Sequence, residues 1–511
     1  MMDNPKVKKY VSAALGMLCV LFGIFLLRRP YGMAVPLAAL VAGIIALIMR
    51  RKRMQTGKRI KDMPAFIMRC AAIAMAAVLG LFLRDVALLA LSVSFSAWLI
   101  VHGFRRVRKA LRRKPFTLQA VPRVLFLRLR AGAALALAVV LCTASIVTYI
   151  NTPRPDDFYR FDETIPSAPG VLLRIEPYQG GLPPNVKGYR ILYSTASGEN
   201  LVPAIASAVV FVPATDAPMP IVAWAHGTTG IAAHAAPSVE NTPAAFTKTI
   251  PGFREAMENG WLIVAPDYAG LGTSGTHPYL IGLSTGYSVL DAIRAVRQLP
   301  GLRFSGEAVV WGHSQGGHAA LWTGILAPDY ASDINLTGVA AAAPATDLPA
   351  LLEQSQNHIV GKVMGSYAIC AYSDYYADVR LGAYIRPLMQ PVVKSLAARS
   401  LSERAILVSV LTATAIDGPI YKRSPLEGAY GQRLLQNIPN RPIDASLFIA
   451  QGAEDPLVKP AIQDAFVAER RDAGQALTYT VYSGRDHASI LEPDSQFVAD
   501  LIAWTRASLA R

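Results

Sequence analysis

Cysteine is scarce in this chain, which excludes several kinds of site. Of the four cysteines among 511 residues, three lie inside apolar runs and only Cys370 lies in the C-terminal part. No CxxC pair occurs, and no His/Cys cluster has the spacing of a zinc site. The sequence therefore predicts no internal disulfide in the C-terminal part, no metal site and no cofactor.

Acidic residues are nearly absent from the first 150 positions, where Asp3, Asp62 and Asp85 stand against 24 Lys and Arg. Residues 151–511 hold 26 basic and 32 acidic residues, so the formal net charge of +15 comes entirely from the N-terminal part. The C-terminal part has no basic, aromatic-rich stripe. Nucleic-acid binding is therefore not expected.

Long apolar runs dominate the N-terminal part. Each of five runs has 16–20 residues, close to the ~20 that a helix needs to cross the hydrocarbon core of a bilayer. Arg28 and Arg29 follow the first run instead of a small-residue cleavage site, which favours a retained helix over a signal peptide. Residues 1–150 are thus predicted to be an all-α membrane domain with about five transmembrane helices: Val11–Leu27, Met33–Met49, Ala65–Leu83, Val86–Val101 and Ala131–Ile150.

The basic residues also predict an orientation. They concentrate in the N-terminal tail and in the second and fourth loops between the runs, whereas the first and third loops hold few. By the positive-inside rule the N-terminus is cytoplasmic, and five crossings place everything after Ile150 on the extracytoplasmic side. The ionisable residues Arg69, Arg84 and Asp85 lie near predicted interfaces, which favours a membrane anchor over a transporter. We therefore expect a multi-pass cell membrane protein.

Residues 151–169 are rich in Pro and Asp without an apolar period, which predicts a linker or extended stalk. From residue 170 to 511, β-branched runs alternate with helical stretches, which predicts an α/β domain with a mostly parallel sheet. Residues 347–440 interrupt this alternation and predict a mainly helical cap insertion. The predicted strands are Ala206–Val212, Ile221–Ala225, Trp261–Ala265, Ala308–Trp311, Gly338–Ala342, Leu447–Ala450 and Thr478–Tyr482, and the predicted helices are Ser284–Leu299, Gly316–Leu326, Pro460–Ala473 and Asp494–Leu509.

A nucleophile motif lies between one predicted strand and the next helix. The sequence GHSQG at 312–316 is G-x-S-x-G, preceded by an apolar strand and followed by an amphipathic helix. A Cβ at Gly312 or Gly316 would clash in so tight a turn, and the turn would expose the hydroxyl of Ser314. Ser314 is therefore the predicted nucleophile.

A base and an acid follow in the order that this architecture uses. His487 comes directly after the last predicted strand, and Asp455 follows the strand before it through a Gly turn. Asp455 would hold the imidazole in the required tautomer. Glu454 is the neighbour most easily confused with Asp455, and Asp267 is interpreted as a structural loop carboxylate. His226, His313 and His318 border motif turns and are expected to have supporting roles.

The transition state of acyl transfer needs two backbone donors, the oxyanion hole. One is expected from Gln315, directly after the nucleophile. The second should come from the loop after an earlier strand, where the sequence WAHGTTG at 224–230 makes Thr228 the candidate.

These motifs resemble the secretory lipase family of the α/β-hydrolase superfamily, the fungal lipase A type and its bacterial relatives, over about residues 170–511. The resemblance is carried by HGTTGI at 226–231 with APS at 236–238, DYAGLGT at 267–273, HPYL at 277–280, GHSQGG at 312–317 and GAEDPLV at 452–458. It implies an α/β-hydrolase fold, hydrolysis of carboxylic and often lipid esters, a cap that shapes the acyl pocket, and the triad Ser314, Asp455 and His487. Members often have a cysteine before the Ala-Pro-Ser motif and a cleavable signal, whereas this chain has Ala235 and a predicted multi-span anchor.

The sequence therefore predicts a membrane-anchored serine esterase or lipase of lipid catabolism that acts through an acyl-enzyme on Ser314, with the bilayer and an ester or lipid substrate as partners. Two alternatives stay open. A membrane-associated acyltransferase would use the same triad with another acceptor, and a non-catalytic membrane module would only bind a ligand. The acyl-chain preference and the oligomeric state are not predicted.

Overall fold

The structure is a computed structural model that describes residues 152–510, apart from 179–180, 241–245, 247–248, 402, 415 and 417. The five predicted membrane spans lie outside the described residues, so the membrane domain stays a prediction. Within the described part, no helix combines the length and the apolar character that a bilayer crossing needs.

A nine-stranded sheet forms the centre of the domain, in the order β1-β2-β3-β5-β4-β6-β7-β8-β9. From β5 to β9 all neighbours are parallel, whereas β1, β2 and β3 pair antiparallel with one another and β3 pairs antiparallel with β5. The prediction of a mostly parallel sheet is confirmed. The strands are β1 (Leu172–Pro177), β2 (Val186–Ser197), β3 (Val202–Pro213), β4 (Met219–Ala225), β5 (Leu262–Pro266), β6 (Phe304–His313), β7 (Asn335–Ala342), β8 (Ser446–Gly452) and β9 (Thr478–Tyr482).

The helices cover both faces of this sheet and add a cap. They are α1 (Pro237–Glu240), α2 (Phe253–Glu258), α3 (Gly282–Val296), α4 (Gln315–Tyr330), α5 (Leu348–Ser355), α6 (Ile359–Tyr375), α7 (Leu381–Tyr384), α8 (Gln390–Ala397), α9 (Glu403–Thr414), α10 (Gly428–Gln436), α11 (Pro460–Asp472) and α12 (Gln496–Leu509). On one face, side chains of α3, α4 and α11 pack in a single apolar core, and on the other α2 and α12 do so. Successive residues of β3 alternate between the two cores, with Val210 in the first and Phe211 in the second, as strand geometry requires.

The cap consists of α5 to α10 and lies between β7 and β8, where the sequence predicts a mainly helical insertion at 347–440. Its apolar core is separate from the two cores of the sheet and is rich in buried tyrosines, among them Tyr367, Tyr372 and Tyr384. Two strands come in addition to the seven predicted ones, because β1 and β2 extend the sheet beyond β3.

The predicted linker is not a free stalk along its whole length. Residues 157–159 form a 3-10 helix whose first turn is capped by Asp156, and the side chains of Phe158 and Tyr159 are only 3% and 4% exposed. Both belong to the apolar core beneath α3 and α4. We call residues 156–159 the docked segment, because they pack as part of the hydrolase domain and not as a spacer before it.

Candidate active site

The elbow, residues 312–316, connects β6 to α4 by a tight turn that leaves no space for a side chain at its two outer glycines. Ser314 lies at its apex with φ 55° and ψ −117°, a backbone conformation that a residue with a side chain adopts only under strain. A Cβ on Gly312 would overlap the carbonyl of Gly316, and a Cβ on Gly316 would overlap the carbonyl of Ala225 at the end of β4. The predicted clash within the turn is thus found at Gly312, whereas the clash at Gly316 is with β4 and not with the turn itself. Ser314 directly precedes the N-terminus of α4.

Asp455 and His487 come together although they follow different strands. Asp455 lies three residues beyond β8 and His487 five residues beyond β9, and His487 Nδ1 donates to Asp455 Oδ2 at 2.6 Å. The carboxylate is buried, and its Oδ1 accepts from the backbone N–H groups of Leu457 and Val458 at 2.8 and 2.9 Å. Gln451 Nε2 donates to Oδ2 at 3.2 Å. These donors fix the orientation of the carboxylate that faces the imidazole.

The neighbouring carboxylate, Glu454, is exposed and has no such surroundings. Asp455, and not Glu454, is therefore the acid that contacts the imidazole, and it is the one that the sequence favours. The exposed Glu454 also offers a matched comparison for any test of Asp455.

His313 brings the elbow and the His487 loop into contact. Its Nε2 donates to the carbonyl of His487 at 2.7 Å, and the two rings lie with centroids 4.7 Å apart. Burial, and secondly the charge of His487, lowers the pKa of His313 to about 3, so this ring is neutral at physiological pH. Since His313 directly precedes Ser314, the contact holds His487 beside the nucleophile turn. The sequence assigned His313 only an unspecified supporting role.

Gln315 occupies the first turn of α4, where its backbone N–H points away from the helix. Its buried side chain donates from Nε2 to His277 Nε2 at 2.9 Å, and His277 Nδ1 donates to the carbonyl of Ala269 at 3.2 Å. Burial lowers the pKa of His277 to about 3, which keeps Nε2 free to accept. Gln315 is thus held at both its backbone and its side chain.

Thr228 lies in the segment that follows β4, residues 226–238, which reaches into the start of α1 and which we call the β4 loop. A Cβ on the preceding Gly227 would lie 3.8 Å from the Cβ of Ser314, so this part of the β4 loop borders the nucleophile. Among the described residues, neither the N–H of Thr228 nor that of Gln315 has a backbone acceptor outside regular helices and strands. An oxyanion hole would need two such N–H donors near the serine.

Tyr279 and the cap hold the β4 loop near Thr228. The hydroxyl of Tyr279 and Thr228 Oγ1 are 3.0 Å apart, and Leu401 of the cap donates its N–H to the carbonyl of Thr229 at 2.7 Å. Burial raises the pKa of Tyr279 to about 12, so its hydroxyl keeps its proton at physiological pH. The sequence missed Tyr279, although it lies in the HPYL motif that contributes to the family resemblance.

Asp267 is a structural carboxylate, as the sequence predicts. Its buried carboxylate accepts from Ser207 Oγ at 2.6 Å, from Ser238 Oγ at 2.5 Å and from the backbone N–H of Ser238 at 2.9 Å. Burial raises its pKa to about 6, while these hydrogen bonds lower it. Asp267 thereby connects β3, β5 and the C-terminal end of the β4 loop and does not contact His487.

Two further observations concern metal binding and a surface groove. No group of three His, Cys, Asp or Glu within the described part of the chain is close enough to bind a metal ion. An open groove of about 710 Å³ lies apart from Ser314, between the docked segment and the turns at 233–234 and 272–274.

Comparison with known proteins agrees with the family that the motifs indicate. Residues 251–489 match the family model described as secretory lipase. Lipase A of Moesziomyces aphidis is 27% identical over 231 residues, covering 41% of this chain and 47% of that protein. The trichothecene C-3 esterase of Fusarium sporotrichioides is 27% identical over 248 residues, covering 45% of this chain and 54% of that protein. The matches thus span about half the length of these curated relatives.

A solved structure confirms the fold. The rice cell wall degrading esterase LipA from Xanthomonas oryzae has a TM-score of 0.52 and 21% sequence identity, covering 67% of this chain and 97% of that one. At this identity the likeness concerns the fold alone. The described part of the chain therefore has the predicted α/β-hydrolase fold, and the predicted resemblance to the secretory lipase family is confirmed.

Proposed function

Because the hydrolase domain resembles the secretory lipases, we propose that this chain is a membrane-anchored serine hydrolase that cleaves carboxylic esters through an acyl-enzyme on Ser314. The single observation that supports the proposal most is the 2.6 Å hydrogen bond from His487 to the buried Asp455, next to the strained turn that carries Ser314. A ligand-binding module has no need for this combination.

In the proposed reaction His487 Nε2 takes the hydroxyl proton of Ser314 while Oγ attacks the ester carbonyl. The charge of the tetrahedral oxyanion is stabilised by the N–H groups of Gln315 and Thr228, and that of the imidazolium by Asp455. The carbon–oxygen bond to the alcohol then breaks, and the leaving alkoxide takes the proton from His487. Water, deprotonated by His487, attacks the acyl-enzyme and releases the acid and free Ser314.

The substrate class follows from the relatives and from the predicted anchor. The relatives named as a lipase and as a trichothecene C-3 esterase support ester chemistry. The five predicted spans would keep the hydrolase domain beside a bilayer on the extracytoplasmic side. We therefore propose esters at or near the membrane, with lipid esters first among them.

The first test is hydrolysis of p-nitrophenyl esters over a series of acyl lengths by the full chain in detergent micelles, beside its Ser314→Ala variant. We expect the variant to lose up to about 10⁶ in kcat, the size typical of a missing serine nucleophile. A fluorophosphonate probe, with the labelled peptide identified by mass spectrometry, reports Ser314 reactivity without any ester.

Asp455→Asn and Glu454→Gln separate the acid from its exposed neighbour. We expect a loss of about 10⁴ in kcat for Asp455→Asn, because an amide stabilises the wrong tautomer of His487, and no more than about a twofold change for Glu454→Gln. A wild-type chain that reacts with the probe but hydrolyses no ester would favour an acyltransferase. A chain inert to both would favour a non-catalytic module.

A further inference from the structure

Hydrogen bonds, an ion pair and a cation–ring contact hold the docked segment in place, in addition to the burial of its side chains. Arg174 Nη1 donates to the carbonyls of Asp157 and Phe158 at 2.8 and 2.7 Å, which satisfies the end of the 3-10 helix. The guanidinium of Arg190 lies 4.3 Å from the ring centroid of Phe158 and pairs with Asp156 at 2.9 Å. The segment therefore has a defined position.

Tyr159 is the residue of the docked segment that contacts the β4 loop. Its hydroxyl lies 2.8 Å from Ser238 Oγ, and Ser238 Oγ donates its proton to Asp267. Tyr159 must therefore be the donor to Ser238. The ring of Tyr159 also covers Gly272, where a Cβ would come within 2.8 Å of ring carbon Cδ1. One side chain thus contacts both the β4 loop and the turn after β5.

The turn after β5 in turn holds the β4 loop on either side of Thr228. The hydroxyl of Tyr268 donates to the carbonyl of His226 at 3.0 Å, and the N–H of Gly272 donates to the carbonyl of Ala233 at 2.8 Å. Thr228 lies between these two attachment points. A displacement of the turn or of Ser238 would therefore move the backbone that carries the Thr228 N–H.

We propose that the docked segment is a positioning element of the β4 loop, with Tyr159 as the positioning residue that sets where the Thr228 N–H lies. The start of the hydrolase domain, where the sequence predicts a linker, then positions part of the site as well as continuing the chain from the N-terminal part. The inference rests on the proposed ester hydrolysis, because it concerns the stabilisation of the oxyanion in that reaction.

The test compares Tyr159→Phe with Tyr330→Phe in the full chain. We expect Tyr159→Phe to lower kcat about 3- to 10-fold at nearly unchanged KM, because one neutral hydrogen bond is lost and the donor is needed mainly in the transition state. Tyr330 is the matched control, since it lies at the far end of α4, about 24 Å along the helix from Ser314, and its hydroxyl donates at 2.8 Å to the buried Asp291 of α3. Tyr330→Phe should lower the melting temperature comparably and leave kcat unchanged.

Ser238→Ala completes the experiment. If Tyr159 acts through Ser238, the double variant should be no slower than Ser238→Ala alone, and Ser238→Ala also decides the matter should Tyr159→Phe fail to fold. An active wild type whose Tyr159→Phe and Ser238→Ala variants keep the wild-type kcat overturns the inference and leaves the proposed function intact. An inert wild type overturns the proposed function and the inference with it.

Discussion

The elbow and the β4 loop border the same serine, yet their positions are fixed in different ways. In the elbow the constraints come from the backbone, since Gly312 leaves room for the carbonyl of Gly316, Gly316 leaves room for the carbonyl of Ala225, and the start of α4 fixes Gln315. The β4 loop is held by side chains remote in sequence, among them Tyr159 and Tyr279, and by the cap at Leu401. The elbow is therefore fixed by close packing of backbone against backbone, whereas the β4 loop is fixed by contacts with remote side chains.

The two proposed oxyanion donors should therefore respond differently to substitutions around them. The N–H of Gln315 cannot move without unwinding the first turn of α4. The N–H of Thr228 follows whatever displaces its distant supports. Substitutions should therefore act on the elbow through folding and on the β4 loop through turnover.

The largest expected effect concerns the elbow. Gly316→Ala brings a Cβ onto the carbonyls of Ala225 and His226, which are backbone atoms that cannot rotate away. We expect a destabilisation of more than about 4 kcal/mol, enough to leave little folded protein, measured as soluble yield and melting temperature. Gly382→Ala is the matched control, because its Cβ would meet only the flexible end of Gln390. A normally folded and active Gly316→Ala variant would contradict the view that close backbone packing fixes the elbow.

The second effect concerns Asp267. Burial raises the pKa of this carboxyl from 3.8 to about 6. The folded chain holds this proton more tightly than the unfolded chain. The associated stability is therefore fully present below about pH 3.8 and is lost as the pH rises through about 6. Between pH 4 and pH 7 the wild type should lose about 2 kcal/mol more of its unfolding free energy than Asp267→Asn, measured by denaturant unfolding.

Asp291 supplies the comparison for that measurement, because it is equally buried and its pKa is raised to about 6 as well, but it contacts α3, α4 and β2 instead of the β4 loop. Asp291→Asn should change the pH dependence of stability in the same direction and leave kcat unchanged, whereas Asp267→Asn should also lower kcat. Equal kcat values for the two variants would argue against Asp267 as a support of the β4 loop.

The smallest effect concerns Tyr279, which supports Thr228 directly. Tyr279→Phe removes the hydroxyl that lies 3.0 Å from Thr228 Oγ1 and keeps the ring, so we expect a loss of about fivefold in kcat and an unchanged fold. Tyr384→Phe serves as the control, since its hydroxyl donates to the carbonyl of Glu427 inside the cap. If both variants lose kcat equally, the cause is a loosened cap and not the β4 loop.

The same distinction explains what the sequence could predict. The elbow was predictable because its glycines and serine are neighbours in the chain, and Asp455 was predictable because it follows an apolar strand through a glycine turn. The carboxyl ends of parallel strands meet at one edge of a sheet, which brings Asp455 and His487 together once the fold is inferred. The seven strands with apolar runs were predicted for the same local reason.

The missed elements depend on distant partners. The antiparallel β2 was not predicted, because its buried Ser194 and Thr195 interrupt the apolar pattern. Their hydroxyls are satisfied by the carbonyl of Ala168 and by Asp291, which no local pattern reveals. Phe158 and Tyr159 lie in a Pro- and Asp-rich stretch, and a single 3-10 turn is too short to have a period. The supports of Thr228 are side chains tens of residues away, so the sequence indicates Thr228 and not what holds it.

The docked segment also affects the stability that the hydrolase domain would have if proteolysis separated it from the N-terminal part. A cut before Asp156 leaves Phe158 and Tyr159 in the released fragment. A cut just after Tyr159 removes both from the core, at about 1.5–3 kcal/mol for each side chain. Cleavage just after Tyr159 would therefore release a domain destabilised by about 3–6 kcal/mol relative to the one released by cleavage before Asp156.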